Sequence, residues 1–229
     1  MTRAALLFDI DGTLLYARGV GRRAFGVAFE AAYGVPYPDL AGLTFVGATD
    51  SNVVRQMAAE CGVDSTPARE EHFFLRLAYA IDAALDETRP LVYPGVPELI
   101  ARLVDRGYAL GLVTGNVRAT AWSKLRHIDI DHAFLFGAYG DDHHERNEIA
   151  ALACVRAPAD TPVRVLIGDT PNDIHAAHAN GLKAVAVATG WVTADALAEA
   201  GADLVLPDFA DTEAAVAAIE ALACQGEER

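Results

Sequence analysis

Leu6-Leu7-Phe8-Asp9-Ile10-Asp11-Gly12-Thr13-Leu14-Leu15 decides how the remainder of this 229-residue chain is read. An apolar run ends in two carboxylates one residue apart, and a Gly-Thr turn follows at once. Ala5 to Phe8 reads as a short buried strand, of the kind found at the centre of a parallel sheet covered on both faces. Asp9 and Asp11 then fall where the strand runs out, and open α/β sheets bind ligands at the carboxyl ends of their strands. Side chains alternate along a strand, but a turn at Gly12 can bring both carboxylates to one site. Carboxylates that close repel unless a proton or cation relieves them. A hard cation with oxygen ligands, Mg²⁺ above all, fits that need.

Working outward, the strand pattern vanishes after Leu15. Phe25, Phe29 and Tyr33 are spaced by four and share a helical face that Gly34 ends. Residues 36–48 are rich in Pro, Gly and small side chains and read as a loop leading into Gly47-Ala48-Thr49-Asp50. Asp50 or Ser51 is expected to cap a helix from Asn52 to Glu60. Pro67 then opens a longer helix with an apolar stripe of Phe74, Leu77, Ile81 and Leu85. From Pro90 the pattern changes. Val96, Leu99, Ile100, Leu103 and Val104 make a helix face, and Ala109 to Val113 a second buried strand ending in Thr114-Gly115-Asn116. A helix over 118–126, an apolar run over 133–136 and a polar loop Asp141-Asp142-His143-His144 follow. Val163 to Ile167 is a further strand, ending in Gly168-Asp169-Thr170-Pro171-Asn172-Asp173. Helices over 172–179 and 193–200, strands over 183–188 and 203–206, and a last helix complete the chain. This alternation predicts an α/β fold, a doubly wound parallel sheet with a Rossmann-like core, interrupted by an inserted α-helical cap. The expected division is 1–15 and 90–229 for the core and 16–89 for the cap.

Bulk properties narrow the function. The formal net charge is −14, which disfavours a nucleic-acid backbone or an anionic membrane as partner. Any phosphate site must therefore carry local positive charge or metal. Cys61, Cys154 and Cys224 are scattered and form no C-x-x-C pair, so they read as reduced thiols. The apolar run before Asp9 is too short for a signal peptide or a membrane span, and a cytoplasmic protein is expected.

Asp9-Ile10-Asp11-Gly12-Thr13-Leu14 resembles the first motif of the haloacid dehalogenase superfamily, most of whose members are phosphatases. Thr114-Gly115-Asn116 resembles the second motif, and Gly168-Asp169-Thr170-Pro171-Asn172-Asp173 the fourth. The resemblance implies Asp9 as nucleophile, forming an aspartyl-phosphate, and Asp11 as the acid and base. It implies Mg²⁺ held by Asp9, the Asp11 backbone carbonyl and Asp169, with Asp173 on the metal or on a bound water. Thr114, Gly115 and Asn116 would hold phosphate. The third motif departs from the pattern. A Lys is usual there, but Lys124 falls mid-face on a helix and Lys183 beyond the fourth motif, while Arg146 stands at the expected place. Arg can supply the same charge through a bidentate fork; the alternative is an exposed Arg pairing with Glu on a helix surface.

Asp11 argues against a dehalogenase, since that branch normally lacks an acid there. A sugar phosphomutase keeps both Asp residues, but its best-known branch has a His in the early cap, and none occurs between Met1 and Glu71. Phosphoglycolate phosphatases, which the size and helical cap resemble, often carry Asp-Ser just after the first motif, where this chain has Leu15-Tyr16-Ala17-Arg18-Gly19. A non-catalytic binding protein retaining the fold is the remaining alternative. Arg18 and Thr49 are the cap candidates for reading the leaving group of a small phosphorylated metabolite. His143 and His144 read as solvated rather than metal-ligating, Asp141 and Asp142 as loop charge, and Trp122 and Trp191 as packing residues.

Overall fold

The computed structural model describes residues 3–35, 42, 43, 45–159 and 161–224. Eight strands and nine α-helices run in chain order among them. They are β1 (Ala5–Phe8), β2 (Leu15–Tyr16), α1 (Val20–Tyr33), α2 (Asp50–Glu60), α3 (Pro67–Glu87), β3 (Leu91–Val92), α4 (Val96–Asp105) and β4 (Ala109–Val113). α5 (Arg118–Arg126), β5 (Phe134–Ala138), α6 (Arg146–Arg156), β6 (Val163–Gly168), α7 (Pro171–Ala179), β7 (Lys183–Val187), α8 (Ala194–Glu199), β8 (Leu204–Leu206) and α9 (Thr212–Cys224) complete the order.

Six strands form one sheet in the order β5-β4-β1-β6-β7-β8, every pairing parallel. All four residues of β1 are buried, as a central strand covered twice requires. Its alternation sorts them between two cores. Leu6 and Phe8 pack with Leu99 of α4, Leu125 of α5 and Ile219 of α9. Ala5 and Leu7 pack with Ile149 of α6, Ile174 of α7 and Leu197 of α8. β1 pairs with β4 on one side and with β6 on the other. The chain thus switches direction across β1, and such a switch opens a crevice at the strand ends. The turns after β1, β4 and β6 face one another there.

The helices α1–α3 are inserted between β2 and β3, which pair antiparallel as Leu15↔Val92 and Tyr16↔Leu91 and so clip the two connections together. The insert has a core of its own, with Phe25, Phe29 and Tyr33 of α1 buried against Val54 and Met57 of α2 and Leu77 of α3. In α3 the buried stripe is Phe73, Leu77, Ile81 and Leu85, not the one starting at Phe74. A strict spacing of four carries the stripe back to residue 73. Thr49, rather than Asp50 or Ser51, caps α2, its hydroxyl accepting from the Asn52 N–H. Part of the expected 36–48 loop, residues 36–41 and 44, lies outside the described residues.

Three further expectations change. Val104 is 43 % exposed, so the α4 face ends at Leu103. The 133–136 run is β5 over Phe134–Ala138, an edge strand whose Leu135 faces outward. Trp122 does pack in the core, but Trp191 is 77 % exposed and touches Tyr16 edge-on. No helix is long and apolar enough to cross a membrane among the described residues, and the three cysteines are free thiols.

Candidate active site

The crevice collects the predicted carboxylates. Asp9 follows β1 directly, Asp169 follows β6, and Asp173 lies in the first turn of α7. One carboxylate oxygen from each lies within 4.8 Å of the other two, and all three residues are buried. Close approach of the loops makes this possible. Gly12 has φ 87°, and a Cβ there would stand 2.1 Å from Asp169 Oδ2. Thr13 donates its hydroxyl to Asp169 Oδ1 at 3.3 Å.

Arg146 answers this negative charge. It opens α6 and is buried rather than lying exposed on a helix surface. Its Nη2 sits 2.8 Å from Asp9 Oδ1 and 2.5 Å from Asp173 Oδ1, and Nε donates to the same Asp173 oxygen at 3.0 Å. Asp173 Oδ2 accepts from the Thr170 N–H and hydroxyl, closing the cap of α7. Both Asp173 oxygens therefore have protein donors. Burial works against the Arg146 charge, but Asp173 and Asp9 outweigh it and hold the guanidinium protonated above its ordinary range. One cation does not balance three anions. Burial raises the Asp9 carboxyl to about 6, with Arg146 opposing and Asp173 and Asp11 adding to the rise. Burial, then Asp9 and Asp173, push Asp169 to about 9. A donor set of three buried carboxylates with so unfavourable a charge suits a hard divalent cation.

The second motif forms the facing wall. Thr114 is fully buried, and its Oγ1 accepts from the Asn116 N–H at 3.2 Å and from Asn116 Nδ2 at 2.7 Å. A Cβ on Gly115 would stand 2.2 Å from the Ala48 carbonyl oxygen, so the cap loop rests on this turn. Asp11 is placed apart from the other carboxylates. Its side chain is 42 % exposed, and its Oδ2 accepts from Asn116 Nδ2 at 2.7 Å. The second partner of Asp11 is Lys124, which sequence reasoning set aside. Its Nζ reaches Asp11 Oδ2 at 2.5 Å and Asn116 Oδ1 at 2.6 Å.

The cap candidates divide. Arg18 is exposed at the entrance to α1, with φ 50°, and takes no part in these contacts. Thr49 is buried at the cap–core junction, but its hydroxyl donates to the His144 carbonyl at 3.0 Å. Beside it, Asp50 accepts from the Val117 N–H at 2.8 Å, and burial raises its carboxyl to about 7. A polar cavity of about 270 Å³ lies under this loop, bordered by Thr49, Asn52, His144, Arg146, Asn172 and His175. His143 and His144 stack on each other at 4.6 Å and belong to no metal-type cluster among the described residues. Asp141 and Asp142 are more than loop charge. Asp141 accepts from the Arg118 N–H at the start of α5, and Asp142 forms a two-pronged pair with Arg156.

Known proteins resemble this chain in sequence and in fold. Residues 6–187 match the model of the haloacid dehalogenase-like hydrolases. An N-acetylmuramic acid 6-phosphate phosphatase of Pseudomonas aeruginosa is 32 % identical, over 90 % of this chain and 91 % of the relative. A phosphoglycolate phosphatase of Pectobacterium atrosepticum is 26 % identical, over 90 % of this chain and 89 % of the relative. The crystal structure of a hydrolase from Pseudomonas syringae superposes with a TM-score of 0.71 at 22 % identity, over 95 % of this chain and 99 % of that one, a likeness of fold. The β1 motif, the carboxylate triad and the matched span agree: this chain belongs to the haloacid dehalogenase-like hydrolase family.

Proposed function

We propose that the protein is a Mg²⁺-dependent phosphatase that hydrolyses a small phosphomonoester through an aspartyl-phosphate. The observation that carries this reading is the buried triad of Asp9, Asp169 and Asp173 with a single guanidinium, that of Arg146, set against Asp9 and Asp173. Asp9 and Asp169, with the Asp11 backbone carbonyl, would hold Mg²⁺, and Asp173 would steady it directly or through water while keeping Arg146 in place. When bound, Mg²⁺ supplies charge that draws the phosphate dianion into an acidic cleft and offsets charge on its oxygens.

The chain's own groups then divide the work. An Asp9 carboxylate oxygen attacks phosphorus as the ester P–O bond breaks, and Asp11 gives its proton to the leaving oxygen. Water next attacks the aspartyl-phosphate and yields its proton to Asp11, releasing phosphate and restoring the Asp9 carboxylate. Arg146, the Thr114 hydroxyl and the Gly115–Asn116 turn would donate to phosphoryl oxygens throughout. The insert, residues 16–89 in this reading, covers the cleft and excludes water.

The dimensions beside Arg146 and the relatives support a substrate class. A polar cavity of about 270 Å³ is near the lower end for ligand sites, which favours a small, hydrophilic leaving group. The two relatives are named for different phosphomonoesters, which supports the class and not one member of it. The test is phosphate release from a panel of sugar, glycolate and nucleotide monophosphates, with and without Mg²⁺, alongside Asp9→Asn. We expect release that needs Mg²⁺ and falls at least about 10³-fold in Asp9→Asn. Release that Asp9→Asn leaves intact would refute the covalent route.

A further inference from the structure

Lys124 is a costly residue at its position. It lies on α5 with a side chain only 5 % exposed, whereas its ion-pair partner Asp11 is 42 % exposed. A half-exposed carboxylate can be solvated and needs no buried cation to neutralise it. A buried ammonium, by contrast, is tolerated only when paired and hydrogen-bonded. The arrangement is therefore organised to fix Asp11. Lys124 Nζ and Asn116 Nδ2 converge on one oxygen, Oδ2, from two elements. Lys124 also grips Asn116 Oδ1, and Asn116 in turn holds Thr114 Oγ1, so the amide cannot rotate independently. α5 is itself braced by the insert. Ser123, next to Lys124, donates to Asp82 of α3, and His127 pairs with Asp86 at 3.2 Å.

Both donors fall on Oδ2, so among the described residues Oδ1 has no hydrogen-bond partner. Two donors from different elements on one carboxyl oxygen fix the orientation of the group and leave the other oxygen available to a substrate. They also keep the carboxylate out of the Asp9–Asp169–Asp173 cluster two residues away.

We propose that Lys124 is a positioning residue for proton transfer by Asp11, holding Oδ2 so that Oδ1 faces the leaving oxygen. The assignment rests on the phosphatase reading above. In the step concerned, Asp9 forms its bond to phosphorus, the ester P–O bond breaks, and the proton on Asp11 Oδ1 passes to the departing oxygen. Lys124 gains and loses nothing.

Leaving groups separate this role from a structural one. 4-Nitrophenolate departs with little help from an acid, whereas phenolate needs it more. With Mg²⁺ present, kcat/KM is measured for 4-nitrophenyl phosphate and phenyl phosphate in the native protein, Lys124→Met, Asp11→Asn and the double variant. Lys124→Met should lose about 30-fold or more on phenyl phosphate and less than about 3-fold on 4-nitrophenyl phosphate. Because Lys124 acts through Asp11, the double variant should match Asp11→Asn within about 2-fold. Equal losses on both esters, or losses that multiply in the double variant, would overturn the assignment. Should Lys124→Met not fold, Lys124→Gln carries the same comparison. A native protein that hydrolyses neither ester would remove the phosphatase reading and this assignment with it. A native protein that is active, silenced by Asp9→Asn and indifferent to Lys124 would remove this assignment alone.

Discussion

Replacing Arg146 with Met tests the charge balance on which the site depends. The guanidinium sits 2.8 Å from Asp9 and 2.5 Å from Asp173, and all three side chains are under one-tenth exposed. At an effective dielectric of 20, each contact is worth about 6 kcal/mol of gross attraction, much of it offset by the desolvation of both ions. Removing one partner of such a pair costs about 3–5 kcal/mol, because the remaining charge stays buried. Met fills most of the volume, so the loss is electrostatic and should depend on pH. Asp9 already has a folded pKa of about 6 against an ordinary 3.8. A carboxyl raised on folding makes stability fall as pH rises through the interval between those two values. Without Arg146 the folded values rise further, the interval extends upward and the fall deepens. We expect Arg146→Met to lose about 4 kcal/mol at pH 8, a shift of roughly 1.5 M in the urea midpoint, and under about 2 kcal/mol at pH 5. Metal-free protein is unfolded in urea at both pH values and followed by fluorescence and far-UV circular dichroism. Mg²⁺ should restore part of the loss at pH 8, since a ligand bound only by the native state stabilises it. A loss below about 1 kcal/mol, or one equal at the two pH values, would refute the argument. Arg146→Lys should recover most of the stability but not the two-sided grip, because one ammonium cannot reproduce a planar fork.

Two other perturbations probe separate parts of the site. Burial raises Asp50 to about 7, so its contribution also makes stability fall as pH rises, here between about 4 and 7. Asp50→Asn keeps an oxygen for the Val117 N–H and removes the charge. It should stabilise the protein by about 2 kcal/mol at pH 8, half the full value of the shift because the side chain is only partly buried, and by nearly nothing at pH 4. Thermal midpoints across that range measure it, and a uniform destabilisation would contradict the assignment. Gly12→Ala places a methyl 2.1 Å from Asp169 Oδ2 at a φ that disfavours any side chain. Mg²⁺ should then bind at least about tenfold more weakly by calorimetry, with a smaller rise in thermal midpoint on adding Mg²⁺; unchanged affinity would show that Asp169 is not a ligand.

The parts of the site that were legible in the sequence are those fixed by local patterning. β1, β4 and α5 fall at their expected ends, because a buried apolar run stopped by Asp-x-Asp-Gly or Thr-Gly is bounded by its own residues. Arg146 could be singled out only through the family resemblance, which expects a cation before the fourth motif, and it does open a helix after a polar loop. Lys124 could not. Periodicity gives a helix and its faces but not the reach of a long side chain, and Asp11 is 113 positions away. Lys124 and its α5 neighbour Ser123 are polar but buried, an inversion that follows from the packing of α3 across them. Trp191 escaped for the opposite reason: aromatic size suggests burial, but its side chain is 77 % exposed and meets Tyr16 edge-on.

The contacts between insert and core bear on how selectivity can arise. The Gly47–Asn52 segment is tied to three separate core loops. Asp50 N–H donates to the Gly115 carbonyl and Ser51 to the Gly140 carbonyl. Thr49 and Asn52 both donate to the His144 carbonyl, and Asn172 Nδ2 donates to the Gly47 carbonyl. Most of these bonds end on backbone carbonyls, so they fix where the segment lies without constraining which core side chains surround it. The cavity beneath can therefore change its lining at the side chains of His144 or His175, with the segment still docked. The buried carboxylates and Arg146 have no such freedom, because each is balanced against the others. A fixed charge centre under a docked segment with replaceable neighbours is a physical arrangement in which one chemistry can serve different phosphomonoesters.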